Sequence, residues 1–390
     1  MRSTSALSPV ALAVFIGGCS GAPQSAVSTI PISLGSGSPA SATLPPRAAL
    51  SAGPQSARNN GPAAVGLWIA ATSQNYIFGE DAGGKKTLAA IDAGANGCAK
   101  PTGIKVDHKH SLWAACAAGY PQPGSVQKYP PGSSAPSATY NDSYSSGSPT
   151  ADRLIVHQPK GGGGSHCTFS GYPTDVAFDS RGHVFAANAS SEGECGDLIM
   201  QPNLITFFDG PVVWWYAQSP KKVHLSISTQ AETAAYDLDV DNAGNLYFDG
   251  GYGCQYSCQP AVFELSDPTS ASGVLTMLTP PTSDQLGGVY VSNHGSVLNV
   301  VDETTRTISQ YELPWIANET AFNVLGPTLA RMGKGEPTSG GFNKGDEHLA
   351  LGDADGWVDI GSVAANHWSA VSNKNLEHGN YGAAYVPSDK

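Results

Sequence analysis

Charge is scarce in this chain. Only 13% of its 390 residues are charged, and Lys and Arg number 20 against 32 Asp and Glu. A formal net charge of −12 leaves no basic surface of the kind phosphate binding needs, so nucleic acid is excluded as a partner. An acidic, well-solvated surface accounts for the same charge. Long apolar runs are also missing: Ala6–Ile16 is too short to cross a bilayer as a helix, and no further stretch is long enough. There is no G-x-S-x-G, H-E-x-x-H, P-loop or Rossmann fingerprint, which removes the commonest hydrolase, zinc-protease and nucleotide signatures. The seven cysteines contain no CxxC pair, so a cysteine metal site is the lesser reading.

What is abundant is turn chemistry. With 46 Gly and 28 Pro the composition fits a turn-rich all-β protein with a large core. Residues 173–190, PTDVAFDSRGHVFAANAS, show how. Val176 and Phe178 alternate with Asp175, Ala177 and Asp179, the period of a half-buried strand. Asp179–Gly182 supplies a turn in which Asp bonds its own backbone and Gly takes positive φ, and Val184–Asn188 returns as a partner strand.

Versions of this hairpin recur. They are 103–107 with 112–117, 237–241 with 246–248, 288–292 with 297–302, and 348–353 with 357–362. The residues closing each first strand, Asp107, Asp179, Asp241, Ser292 and Asp353, lie 72, 62, 51 and 61 apart. One such unit per blade is the signature of a β-propeller. Gly66–Thr72 reads as a second strand with no first, and Tyr381–Pro387 as a first strand with no second. Joined, they make a sixth blade in which the C-terminal strand pairs with the N-terminal strands, which removes two open sheet edges. Six blades over 63–390 take about 55 residues each against roughly 40–50 in common propellers, and the excess is expected in loops such as 132–148 and 161–170.

The unit resembles the NHL-type repeat of six-bladed propellers, best at 175–188 and 237–249, and the run 125–134 is similar to one common in bacterial lipoproteins of this kind. The resemblance covers about residues 63–390 and implies a fold, with binding modules, lactonases and lyases all built on it.

Ahead of the repeats, residues 1–18 read as a signal peptide. Arg2 precedes an apolar run, and Ile16–Cys19 resembles the bacterial lipobox, with Cys19 as the lipidated residue; an ordinary secretory signal is the alternative. Ser20 after the cysteine resembles lipoproteins released to an outer membrane. Residues 19–62, rich in Ser, Ala, Pro and Gly, form a flexible tether. The expected location is the bacterial cell envelope, exported and held to the membrane by an N-terminal lipid.

Six further cysteines in an exported chain argue for disulfides. Cys98 precedes one blade's first strand and Cys116 ends its second. Cys167 and Cys195 hold nearly the same places one blade on, so Cys98–Cys116 and Cys167–Cys195 are the natural bridges, with Cys254–Cys258 closing a small loop.

Candidate chemistry is gathered by the repeat. First strands start, and second strands end, at one face around the axis, which places Asp175, Asn188, Asp237, Asp249, Asp302, Glu347 and His348 near one mouth. Such carboxylates could hold a divalent cation such as calcium, with Asp175 and Asp237 foremost, or a polar small-molecule ligand; they could equally cap loop N–H groups and face water. Gluconolactonase-type propellers would place a Glu, Asn and Asp around a channel metal, but neither 381–387 nor 66–72 offers the Glu. Lyase-type relatives would need a catalytic His, for which only His294 and His348 stand available. His108 and His110 fall in a turn, Asp353–Gly356 mimics only the start of a calcium loop, and Trp214–Tyr216 on an outer strand could stack a sugar.

These readings converge on a binding or scaffolding module with an envelope protein, glycan or small molecule as partner. A metal-dependent lactonase- or lyase-like enzyme at the acidic mouth is the alternative. Cys19→Ser should move the protein from the membrane fraction to the soluble fraction. A variant that stays membrane-bound contradicts the anchor.

Overall fold

The computed structural model describes residues 65–117, 124–145, 155–156, 167–195, 198–200, 203–208, 213–216, 234–252, 259–269, 274–278, 286–292, 295–302, 306–313, 329–330, 337–342, 348–353, 357–363, 365, 367–371 and 380–386. They form six antiparallel blades. Cys19, Glu347, His294, Cys254 and Cys258, and the tether, lie outside the described residues.

Blade 1 is built from both ends of the propeller. Asn380–Tyr385 is innermost, followed by Leu67–Ala71, Tyr76–Glu80 and Thr87–Asp92. Ile69 pairs with Ala383 and Leu67 with Tyr385, so the closure expected from the two half-hairpins is the one formed. Blade 2 runs Pro101–Val106, Leu112–Cys116, Ser125–Tyr129, Ala138–Asn141 from the axis outward, and blade 4 runs Ala234–Val240, Leu246–Tyr252, Gln259–Ser266, Val274–Leu278. Blade 5 contains Leu286–Ser292, Val297–Asp302, Thr307–Glu312 and Leu329–Ala330; blade 6 contains Pro337–Phe342, Leu349–Asp353, Val358–Ser362 and His367–Val371. Each innermost strand touches the next around a closed ring. Between blades lie apolar layers, such as Phe185, Phe207, Leu238, Phe248 and Phe263 between blades 3 and 4.

The hairpin turns explain why the repeat carries an Asp. Asp107 Oδ1 accepts the N–H of Lys109 at 2.9 Å and of Ser111 at 2.8 Å. Asp179 Oδ1 does the same for Arg181 and His183, and Asp241 Oδ1 for Ala243 and Asn245, all at 2.9 Å. One carboxylate thus satisfies two turn donors that strand pairing leaves open. Left-handed backbone follows at His110, Gly182 and Gly244, with φ of 61°, 87° and 88°.

Two expectations need correction. In blade 6 the hairpin of Leu349–Asp353 with Val358–Ser362 is second and third strand, because the innermost strand is Pro337–Phe342. That strand, PTSGGF, lacks apolar alternation and does not announce itself. Asp353 therefore closes a second strand, opposite Pro337. Second, parts of the expected loops are strands: Ala138–Asn141 completes blade 2, and Ser143–Ser145 pairs with Thr168–Ser170.

Blade 3 is the largest sheet. Its long hairpin pairs Cys167–Phe178 with Val184–Cys195, followed outward by Asn203–Phe208, Val213–Tyr216 and, in parallel, Ile155–Val156. Beyond Pro173 the hairpin continues from Tyr172–Ser190 to Cys167–Cys195, flanked by Ser143–Ser145 on one side and Leu198–Met200 on the other. From Tyr172 to Cys167 these six pairs extend the sheet by about 20 Å, at about 3.3 Å per residue. We call this extension the wing.

Cys98 and Cys116 are joined, with Cα atoms 5.0 Å apart. Cys167 and Cys195 are direct cross-strand partners in the wing. Replacing Cys98 and Cys116 with Ala should cost about 3 kcal/mol on the chain-entropy account of an 18-residue separation, read by urea unfolding. Non-reducing peptide mapping should return Cys167 with Cys195 and Cys254 with Cys258; a cross-blade pair contradicts that scheme.

Candidate functional site

The site is built on a defect repeated six times. Every innermost strand slips register against its second strand at a matching place, and that of blade 3 slips again between Tyr172 and Pro173. The slips fall between Pro101 and Ile104, Pro173 and Asp175, Ala235 and Leu238, Leu286 and Val289, and Pro337 and Gly340. In blade 1 the slip lies opposite Ala70 and Ala71. A bulge frees backbone from the ladder and re-aims a side chain. The matching residues are Gly103, Asp175, Asp237, Gly288, Ser339 and Gly382. Here glycine has a packing reason: a Cβ at Gly103 would overlap the Asp175 carboxylate, and one at Gly288, where φ is +126°, the Tyr290 hydroxyl. Two threonines beside the bulges tie neighbouring blades. Thr102 Oγ1 donates to Pro173 O at 3.3 Å, and Thr174 Oγ1 to Ala235 O at 3.2 Å.

Into this ring the sequence delivers a cation from blade 2. Lys105 Nζ donates to Gly340 O of blade 6 at 2.5 Å, lies 3.7 Å from Asp175 Oδ2 of blade 3, and sits 5.4 Å from the Tyr290 ring centroid of blade 5. Tyr290 donates its hydroxyl to Asp237 Oδ2 of blade 4 at 2.8 Å. The Asp237 N–H donates to Asp249 Oδ1 at 2.7 Å, the Leu238 N–H to Asp175 Oδ2 at 3.4 Å, and the Val291 N–H to Asp239 Oδ2 at 2.9 Å. One polar network therefore joins five blades.

Its electrostatics follow from burial and from charge number. Asp175, Asp237 and Asp249 are at most 1% exposed. Burial raises all three carboxyls, because the charged form loses water. Asp249 is pushed up to about 7. In Asp237, burial and then the neighbouring Asp175 charge hold the carboxyl well above the usual carboxylate range, against the pull of Lys105. In Asp175 burial also wins, opposed first by Lys105. Burial pulls the Lys105 ammonium down, but Asp175, Asp237 and Asp239 outweigh it and hold it well above the ordinary lysine value.

The sequence-derived set therefore divides. Asp175, Asp237 and Asp249 meet at the axis. Asn188 belongs to a second buried group at the base of the wing: its Nδ2 donates to Thr206 Oγ1 at 3.1 Å, and that hydroxyl donates to Asp142 Oδ1 at 2.9 Å. Burial pushes the Asp142 carboxyl up to about 7 against the bonds from Thr206 and Asn188. Asp302 is buried at the mouth end of blade 5, opposite Leu286. His348 is exposed and starts a second strand, so it stands at the far face rather than the mouth, a consequence of the blade 6 shift. Lys105, Tyr290 and Asp142 went unread. The available signal for Lys105 was its register: it occupies the place of Ala177 in blade 3 and Asp239 in blade 4, a lone cation opposite acids.

Among the described residues no three His, Cys, Asp or Glu side chains are grouped to hold a metal ion. At the axis the charge partner of the carboxylates is the Lys105 ammonium.

No protein-family model and no curated protein sequence matches the chain. Similar backbones occur among solved structures. A nidogen/laminin complex matches at 13% identity and a TM-score of 0.49, over 83% of this chain and 99% of that one. Hydrazine synthase of Kuenenia stuttgartiensis matches at 10% and 0.45, over 80% and 81%. The calcium-binding protein regucalcin of Agrobacterium tumefaciens matches at 10% and 0.39, over 70% and 74%. The likeness is one of chain path, and the chemistry rests on this chain's own residues.

Lys105→Met should strand buried carboxylates and destabilise the fold by about 3–5 kcal/mol in urea unfolding. Adding Asp175→Asn should recover part of that loss, the coupling expected of contacting groups. A Lys105→Met protein as stable as the parent contradicts the network's role.

Proposed function

We propose that this protein is an exported, lipid-anchored binding or scaffolding module of the cell envelope, and that its partner seats on the mouth and wing rather than inside the axis. The observation that carries this reading is the filled axis. Lys105, Tyr290 and the three carboxylates engage one another, so a partner meets the rim of the mouth and the paired strands rising beside it.

The wing suits that role physically. It is hydrogen-bonded sheet, and its base is stitched to blade 2. Gly171 N–H donates to Asp142 O at 2.7 Å, Gly124 N–H to Gly171 O and Asp142 N–H to Gly124 O, both at 2.9 Å. A recognition element held this way loses little further entropy on binding. The signal-like segment, the Cys19 lipid site and the tether would keep the protein at the membrane, within reach of an envelope protein or glycan. The lactonase- or lyase-like reading needs a catalytic group in reach of substrate, whereas Asp249, whose carboxyl lies in the useful range, is 1% exposed.

A photo-crosslinking residue placed in intact cells tests this. Positions in the wing, such as Ser143 or Ile199, should each yield a discrete adduct, and positions in the opposite turns, such as Ala243, should not. Adducts of equal yield from both faces, or turnover of a lactone panel that is lost in Asp249→Asn, would contradict the reading.

A further inference from the structure

The axial network holds more negative charge than its one cation can balance. Asp175, Asp237 and Asp249 are buried carboxyls, and Lys105 is the only ammonium that reaches them among the described residues. The groups facing Asp237 from each packed element can be named. Blade 2 contributes Lys105, and the innermost strand of blade 3 contributes Asp175. The second strand of blade 4 contributes Asp249, and blade 5 contributes Tyr290. Asp239 of blade 4 also acts on Lys105, and its oxygens accept the Val240 and Val291 N–H groups. From blade 6 the Gly340 carbonyl accepts from Lys105, and the uncharged Ser339 stands at the bulge.

The oxygens point the same way. Asp175 Oδ1 and Asp237 Oδ1 are buried with no hydrogen-bond donor, although each carboxyl's second oxygen is engaged by Leu238 N–H or the Tyr290 hydroxyl. Two ionised carboxylates left so, in a medium where an unpaired charge is costly, would repel. A carboxylic acid in the pair supplies the missing donor and removes one charge. Gly103 and Gly288 leave open the space that the Asp175 carboxyl and the Tyr290 hydroxyl occupy.

We infer that Asp175 and Asp237 share one retained proton at neutral pH, and that this proton and the Lys105 ammonium together close blades 2 to 5 on the axis as a proton-linked clasp. The balance is simple: on folding, one proton from solvent converts one carboxylate of the pair to a carboxyl, and the remaining carboxylate faces Lys105. A rise in pH removes that proton and leaves the like charges opposed. This goes beyond the binding role, since it concerns what holds the ring shut whatever the mouth engages.

The sign follows from linkage. Burial holds the pair above the unfolded aspartate value of about 3.9, so the native state binds more protons than the unfolded chain above that pH. The clasp's contribution is fully present below that value and is lost as pH rises through the folded one.

The test is urea unfolding of the full chain from pH 5 to 7, for the parent and for Asp237→Asn, which imitates the protonated acid. One retained proton makes the parent's folding constant fall by up to about tenfold per pH unit relative to the variant, on the order of a hundredfold over the range. Carbon-13 resonances of aspartate carboxyls in the parent should show Asp175 or Asp237 as an acid at pH 6. Parallel pH profiles of parent and variant would overturn the clasp. If Asp237→Asn does not fold, the resonances decide: both residues as carboxylates at pH 6 overturn it, and either as an acid supports it.

Discussion

Everything near the axis depends on one buried ammonium. Lys105 reaches across from blade 2 to a carboxylate of blade 3, an aromatic ring of blade 5 and a carbonyl of blade 6. A buried ion pair is weak evidence of stability by itself, because desolvation offsets much of the attraction. Its value here is geometric. The propeller's blades bury apolar faces against one another, and such layers are tolerant of small slips. A charged group that must meet specific partners on several blades is not. The network therefore ties together the innermost strands of five blades, while apolar layers pack between the blades.

That division explains which parts of the chain were legible. The hairpins announced themselves because half-buried strands alternate and because an Asp turn leaves a visible mark; Asp107, Asp179 and Asp241 each accept two turn N–H groups in the same way. The ring closure was legible from two half-hairpins at the ends. Blade 6 misled, since PTSGGF packs through glycine and carbonyl contacts that carry no hydrophobic signature. The error propagated to His348. At the site, the clustering of Asp175, Asp237 and Asp249 was readable from register, but their charge partner was not. A lysine inside GIKVD looks like the polar half of a strand, and only the closed ring turns it inward.

The wing shows the same limit from another side. Its strands come from a segment of Gly, Ser and Thr that reads as loop, yet twelve-residue strands form there because each finds a partner on both edges. The base is anchored by Asp142, Asn188 and Thr206, so two buried polar groups divide the labour. One fixes the axis and the other fixes the element that rises beside it.

The central claim is that carboxylates at the axis, rather than strand ladders, secure the bulged innermost strands. Hydrogen exchange at the Asp237, Leu238 and Val291 amides tests it most directly, because their acceptors are Asp249, Asp175 and Asp239. The account predicts that these three amides exchange as slowly as ladder amides of the second strands, opening only with global unfolding. Exchange at the rate of exposed turn amides, with the second strands still protected, would contradict it.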